Sequence, residues 1–234
     1  MNLPKLARIA LGAALLVFSS SAVLAKKSDK AENEYPNATR SEPKTNMSSS
    51  ESRDLSKAAD LVNDGENDKA LPLIEKVLAG RKVGAYAQAF AQQLLGRVYW
   101  DQEQEEQALA ATSKAIELDA LPNNAHFGLM YQLAQMQVQT EKYAEALKTL
   151  DRFKSETGVE SPDQIALLGN IYYRLEKYQE AADTMKRAIA ASSEPKESWN
   201  QILMASLFEL DQYAEAAKVI EAQLAKTPDD IKLI

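Results

Sequence analysis

The sequence predicts an all-α protein, a solenoid of about five antiparallel helix hairpins. Its 234 residues are rich in Ala, Leu, Gln, Glu and Lys, which favour helices. Eight glycines and eight prolines are too few to punctuate a many-stranded β fold. A small residue also recurs at a nearly constant interval, and one hairpin cannot bury its own apolar faces, so hairpins are expected to stack.

The N-terminus, residues 1–25, has the pattern of a secretory signal peptide. Lys5 and Arg8 precede an apolar run from Ile9 to Phe18, and small residues follow as far as Ala25. The run is too short to span a bilayer, so cleavage is favoured over an uncleaved anchor. We therefore predict export to the periplasm, with no membrane span after cleavage.

Residues 26–53 are polar and have no apolar period. Pro36, Pro43 and a serine cluster interrupt them. Such a stretch cannot bury enough apolar surface to offset the entropy lost on ordering. The sequence therefore predicts a disordered linker here.

A repeat begins after this linker. One alanine recurs at intervals of 38, 38, 35 and 35 residues, as Ala70, Ala108, Ala146, Ala181 and Ala216. Twelve residues before these alanines stand Ala58, Gly96, Ala134, Gly169 and Met204. Three residues before the last three alanines stand Tyr143, Tyr178 and Tyr213.

This pattern resembles the tetratricopeptide repeat family over residues 55–230. The resemblance implies antiparallel helix pairs stacked in a right-handed superhelix. The expected units are a degenerate first repeat at 54–82 and four repeats at 83–122, 123–160, 161–195 and 196–230.

The fourth repeat shows how each hairpin is expected to close. Gly169 and Ala181 let the two backbones approach, and larger residues at helical spacing fill the seam. The residues predicted to fill it are Leu168, Tyr172, Tyr178, Met185 and Ala188.

Composition and motifs argue against several functions. The net charge of −7 disfavours nucleic-acid partners, and the absence of cysteine excludes thiolate chemistry. No nucleotide-binding or nucleophile motif occurs. His126, the single histidine, is interpreted as a helix-end residue rather than a base or metal ligand. We predict no enzyme activity, no catalytic or metal site and no cofactor.

The remaining candidate is a peptide-binding groove on the first helix of each repeat. Aromatic anchors and amide or guanidinium donors there suit an extended peptide or a helix. The predicted groove residues are Phe90, Gln93, Arg97, Trp100, Tyr131, Gln135, Asn170, Tyr173, Gln201 and Phe208. Alternatively, the aromatic members pack between neighbouring repeats. Trp199 is assigned to packing.

A weaker resemblance links the chain to exported tetratricopeptide proteins that accompany TonB, ExbB and ExbD. It depends on residues 37–40, 84–89 and 198–221. It implies a periplasmic adaptor that binds an envelope protein in an energy-transduction or uptake system. The alternative is a scaffold or chaperone for another envelope complex, such as pilus, secretion or outer-membrane machinery. A cell-wall enzyme is the least favoured interpretation.

No polar capping helix is evident after Pro228. We therefore expect the outer face of the last hairpin to be covered by a partner, by a second copy in a homo-oligomer, or by residues 231–234.

Overall fold

Ten helices follow one another along the described part of the chain. The structure is a computed structural model that describes residues 33–226. The helices are α1 (Ser49–Asn63), α2 (Asn67–Leu78), α3 (Ala85–Asp101), α4 (Glu105–Glu117), α5 (Asn123–Gln139), α6 (Tyr143–Thr157), α7 (Pro162–Arg174), α8 (Tyr178–Ala191), α9 (Glu197–Glu209) and α10 (Tyr213–Lys226). They form five successive hairpins, α1–α2 to α9–α10. No strand occurs between residues 33 and 226, which confirms the predicted all-α class.

The recurring alanines lie in the seams of the hairpins. All five are 0–1% exposed, as the repeat pattern predicts. The two glycines that stand twelve residues before a recurring alanine are needed for close packing. A Cβ on Gly169 would lie 3.0 Å from Met185 Cε, and one on Gly96 would lie 3.2 Å from Thr112 N. Small residues on one helix therefore leave room for the helix that follows.

Each hairpin turn contains three residues and the same backbone feature. One residue of the turn has a positive φ between 57° and 75°, and it always stands five residues before the recurring alanine. These residues are Gly65, Glu103, Glu141, Glu176 and Asp211. A left-handed residue after a helix is a common way to end it, although glycine is the usual choice. In the last three hairpins, the recurring tyrosine begins the second helix.

The buried core extends along the solenoid. One cluster runs from Leu55 in α1 to Met136 in α5 and includes Phe153 of α6. A second cluster joins α7, α8 and α9 to Ala216 of α10. A third, smaller cluster contains Ala134, Ala146, Leu150 and Ile171, and it connects the third hairpin to the fourth.

Residues 33–48, which we call the N-terminal strap, pack against the solenoid. Tyr35 contacts Phe127 and Phe153, with ring centroids 5.0 and 5.7 Å away. The backbone N–H of Thr39 donates to the carbonyl of Glu156 at 2.8 Å. These contacts place the strap along the start of α5 and the end of α6.

Two charged residues fasten the strap to the loop between α4 and α5. Arg40 donates to the carbonyl oxygens of Asp119 and Leu121 at 2.8 and 3.0 Å, and its Nε lies 3.0 Å from Asp119 Oδ1. The carboxylate of Glu42 accepts from the N–H of Asn123 at 3.2 Å.

The prediction of a disordered linker is wrong for residues 33–53. The strap has the contacts just described, and α1 begins at Ser49, five residues earlier than the predicted first repeat. Ser48 and Glu51 form a capping box that starts this helix, with the Ser48 N–H donating to Glu51 Oε2 at 2.7 Å. A polar stretch is ordered here because its few large side chains find partners on the third hairpin.

Three predictions lie outside the described residues: the signal peptide at 1–25, the beginning of the linker and the covering role of residues 231–234. Within residues 33–226, none of the helices has the length and apolar content that a bilayer crossing requires.

Candidate functional site

All ten predicted groove residues lie on the first helices of the second to fifth hairpins. Helices α3, α5, α7 and α9 carry them. Their environments differ, because some are enclosed by neighbouring repeats and others are partly open.

Phe90 does not line an open groove. Its side chain is only 4% exposed and stacks on Tyr86 with ring centroids 6.2 Å apart. This is a correction to the prediction, since Phe90 belongs to the main core cluster. Its apolar surface is already used by packing between helices.

The second hairpin contributes a polar group of partly open residues. The guanidinium Nε of Arg97 lies 3.3 Å from Asp101 Oδ2, and Asn67 Nδ2 donates to the same oxygen at 3.4 Å. Gln93 Oε1 is buried and has no hydrogen-bond partner among the described residues. Trp100 packs one side against the core and remains partly exposed. The group thus combines a partly open aromatic ring with an ion pair, while the Gln93 acceptor oxygen is enclosed.

In the third hairpin, Tyr131 is mainly a packing residue. It is partly buried against two core clusters. Burial, reinforced by the negative charge of Asp163, raises its pKa to about 12, so the hydroxyl stays neutral. The partly exposed amide of Gln135 hydrogen-bonds to it. This hydrogen bond ties the Gln135 amide to the packed side of the helix.

The fourth and fifth hairpins hold the remaining predicted residues. Asn170 is partly exposed, and Gln201 Nε2 donates to Glu197 Oε1 at 3.1 Å. Tyr173 packs edge-on to Tyr178 at 5.7 Å.

Phe208 is far more open than the other aromatic residues of the predicted set. It is 48% exposed and lies 5.9 Å from the ring of Tyr213, which is 58% exposed. The predicted groove residues are therefore more open at the C-terminal end of the set.

His126 is enclosed rather than placed at an accessible helix end. Its side chain is 0% exposed, and neither ring nitrogen has a hydrogen-bond partner among the described residues. Burial and the nearby positive charge of Arg40 lower its pKa to about 4. Its position beneath the strap favours a packing role for a neutral imidazole.

The structure also bears on the assignment of Trp199. Trp199 is 6% exposed, which confirms its assignment to packing. Among residues 33–226, no group of three or more His, Asp or Glu side chains is arranged to hold a metal ion.

Sequence reasoning missed two features of this surface. Tyr213 is only a repeat marker in the sequence pattern, although it completes the exposed pair with Phe208. The strap residues Tyr35, Arg40 and Glu42 fall in the stretch predicted to be a linker. The only signal in the sequence is one aromatic residue followed by an Arg and a Glu in a polar stretch. Their spacing is not periodic, so it does not predict where they pack.

Two models of the tetratricopeptide repeat family match the chain, at residues 91–120 and 164–197. These ranges fall on the second and fourth hairpins. The fold is a tetratricopeptide-repeat solenoid. No curated protein matches the sequence.

Several solved structures share this tetratricopeptide-repeat fold. A crystal structure of MamA is 18% identical with a TM-score of 0.63, covering 79% of this chain and 95% of that one. MamA from Desulfovibrio magneticus RS-1 is 16% identical with a TM-score of 0.61, covering 79% and 99%. TPR-like repeats of a putative kinesin light chain from Podosopora anserina are 18% identical with a TM-score of 0.58, covering 78% and 100%. At these identities the likeness supports the fold alone.

Proposed function

We propose that the chain is an exported, non-catalytic adaptor that holds a segment of another protein against the first helices of its repeats. The observation that carries this proposal is the row of partly exposed amide and aromatic side chains on these helices. Gln93, Trp100, Asn170 and Tyr173 lie on matching faces of α3 and α7. Amides can bond to a peptide backbone, and aromatic residues supply much of the energy of protein interfaces.

The assignment of no catalysis is supported by the environment of the single histidine. A Ser-His-Asp type of mechanism needs a histidine that exchanges protons with substrate. His126 is enclosed, and its pKa is lowered to about 4. We therefore place the activity of the protein in binding.

For location and partners, we propose the periplasm and a TonB, ExbB and ExbD system. The signal-like residues 1–25 support export, and the resemblance at residues 84–89 and 198–221 supports the energy-transduction system. The alternative partner is the assembly machinery of another envelope complex.

Site-specific photo-crosslinking in the native envelope tests the binding surface and the partner together. A photo-reactive amino acid at Asn170 should capture a protein, whereas the same group at exposed Lys148 on α6 should capture much less. Capture of TonB, ExbB or ExbD supports the energy-transduction role. Capture of pilus, secretion or outer-membrane components supports the alternative. Equal capture at both positions would contradict a groove on the first helices.

A second variant tests the energetic contribution of the groove. Trp100→Ala should weaken binding of the captured partner by about 2 kcal/mol with little loss of helicity. Isothermal titration calorimetry and circular dichroism measure the two quantities. A large fall in thermal stability would instead show that Trp100 is a core residue.

A further inference from the structure

The fifth hairpin carries an exposed aromatic pair at its turn. Phe208 is the second-last residue of α9, and Tyr213 is the first residue of α10. Their ring centroids are 5.9 Å apart. Among the described side chains, they are the only large apolar or aromatic ones that are open to solvent, at 48% and 58% exposed. We call this pair, with Glu209 and Asp211, the C-terminal edge.

The preceding hairpin shows the same pair in a more protected form. Tyr173 and Tyr178 occupy the equivalent positions, thirty-five residues earlier, with ring centroids 5.7 Å apart. Both are partly buried. Burial is the main cause that raises the pKa of each phenol, and the negative charge of Glu209 in the next hairpin is the second cause. The aromatic strip therefore continues across two hairpins and opens at the C-terminal edge.

The charge at the turn changes between these hairpins. Residues 173–178 contain Arg174, Glu176 and Lys177, so cations outnumber the carboxylate. Residues 208–213 contain Glu209 and Asp211 and neither Lys nor Arg. The aromatic pair is kept, but the turn that carries it becomes negative.

The two carboxylates are not neutralised by the described side chains. Glu215, the next carboxylate along the chain, is held by Lys186 at 2.7 Å. No described Lys or Arg forms an ion pair with Glu209 or Asp211. Asp211 Oδ1 accepts a hydrogen bond from Tyr213 Oη at 2.6 Å, which holds the ring beside the acidic turn. The electron-rich faces of Phe208 and Tyr213 add to the attraction for a cation.

We propose that the C-terminal edge docks a cationic, amphipathic segment of a partner protein. Apolar side chains of that segment would cover Phe208 and Tyr213, and its Lys or Arg side chains would lie against Glu209, Asp211 and the aromatic faces. The inference deepens the protein-binding function proposed above and rests on it, because it names the chemistry of the bound segment.

The test uses a fluorescently labelled amphipathic peptide built of Lys, Leu and Ala, and a matched peptide with Glu in place of Lys. Fluorescence anisotropy on the full chain should show binding of the Lys peptide, weakened by added salt, and no binding of the Glu peptide. F208A/Y213A and E209Q/D211N should each raise the Kd at least about tenfold. Asn accepts the left-handed backbone at position 211, so the charge variant should remain folded.

Glu141→Gln is the matched control, because Glu141 occupies the same left-handed turn position in the third hairpin. It should leave the Kd unchanged. Equal weakening by Glu141→Gln and by E209Q/D211N would overturn the proposal, since it would show attraction to the overall negative charge. Unchanged binding in F208A/Y213A would overturn it as well.

Two further outcomes separate this inference from the proposed function. If the wild type self-associates in light scattering and F208A/Y213A is monomeric, the edge is covered by a second copy and the proposal is wrong. If photo-crosslinking at Asn170 captures a partner while the edge variants bind the Lys peptide normally, only the edge assignment fails. Loss of capture at Asn170 with edge binding retained would instead overturn the groove.

Discussion

The third and fourth hairpins follow the same repeat pattern but close their seams by different means. In the fourth hairpin, Ala188 occupies the position seven residues after the recurring alanine and is 0% exposed. In the third hairpin, this position is Phe153, which is 1% exposed and packs against Phe127 with centroids 6.1 Å apart. Tyr35 of the strap completes the aromatic group.

The N-termini of the two hairpins differ in the same way. Helix α7 begins with its own capping box, in which Ser161 and Gln164 exchange hydrogen bonds at 2.8 and 3.3 Å. Helix α5 has no side-chain cap from its N-cap residue, Pro122, and the Glu42 carboxylate of the strap accepts the Asn123 N–H instead. The fourth hairpin therefore caps its first helix within its own repeat, whereas the third hairpin takes this cap, and part of its aromatic core, from the strap.

The largest expected effect comes from removing the aromatic centre of the third hairpin. Phe153→Ala should cost about 3–5 kcal/mol of unfolding free energy, because it leaves a cavity beneath Tyr35 and beside Phe127. Urea unfolding followed by circular dichroism measures this loss. Exposed Phe208→Ala is the control and should change stability by less than about 1 kcal/mol. Similar losses in both variants would contradict the central role of Phe153.

A smaller effect is expected from overfilling the fourth hairpin. Ala181→Leu should cost about 1–3 kcal/mol, because Ala181 is 0% exposed and a larger side chain would have to displace its neighbours in the seam. Thermal and urea unfolding measure the change. Ala190→Leu, on an exposed site of the same helix, should be nearly neutral. A neutral Ala181→Leu would show that the seam tolerates larger residues.

The third hairpin should also be sensitive to acid. Burial and Arg40 lower the pKa of His126 to about 4, from an ordinary value near 6.5, while Asp119 and Glu156 oppose the shift and Arg152 adds to it. As the pH falls, His126 therefore binds a proton in the unfolded chain before it does so in the folded chain. The stability contributed by neutral His126 is complete above about pH 6.5 and falls as the pH drops toward 4, by at most about 1.4 kcal/mol per pH unit.

Unfolding curves measured from pH 7 to pH 4 for the wild type and for His126→Leu test this dependence. The difference in unfolding free energy between the two proteins should change with pH, because only the wild type has His126. The carboxylates are present in both proteins. A constant difference across the range would show that His126 is already accessible to protons in the folded state.

The smallest expected effects concern the two helix starts. Ser161→Ala should cost about 1 kcal/mol and should speed amide exchange at the start of α7. Glu42→Gln should speed exchange at the start of α5, with a smaller loss of stability, because Glu42 is exposed. Native-state hydrogen exchange distinguishes the two sites. Faster exchange at α7 in the Glu42 variant would contradict a local cap.

Much of the candidate site was predictable because the first helix of a repeat has one face toward the seam. Counting from Gly169 places Asn170 and Tyr173 off the seam, and both are partly exposed. The same count placed Phe90 in the groove, but a neighbouring ring and the adjoining helices enclose it. Helical periodicity specifies the direction of a side chain, and it does not specify how closely the next element approaches.

The sequence by itself determined the class of fold, the recurring small residues and the seams that they close, because these depend on spacing along single helices. Only the tertiary structure decided that Tyr35, Arg40 and Glu42 belong to the third hairpin, and that Phe208 and Tyr213 stay open while Tyr173 is partly covered. Contacts between residues about ninety positions apart, such as Tyr35 and Phe127, leave no periodic trace in a polar segment. They depend on which surfaces remain uncovered once the hairpins have stacked.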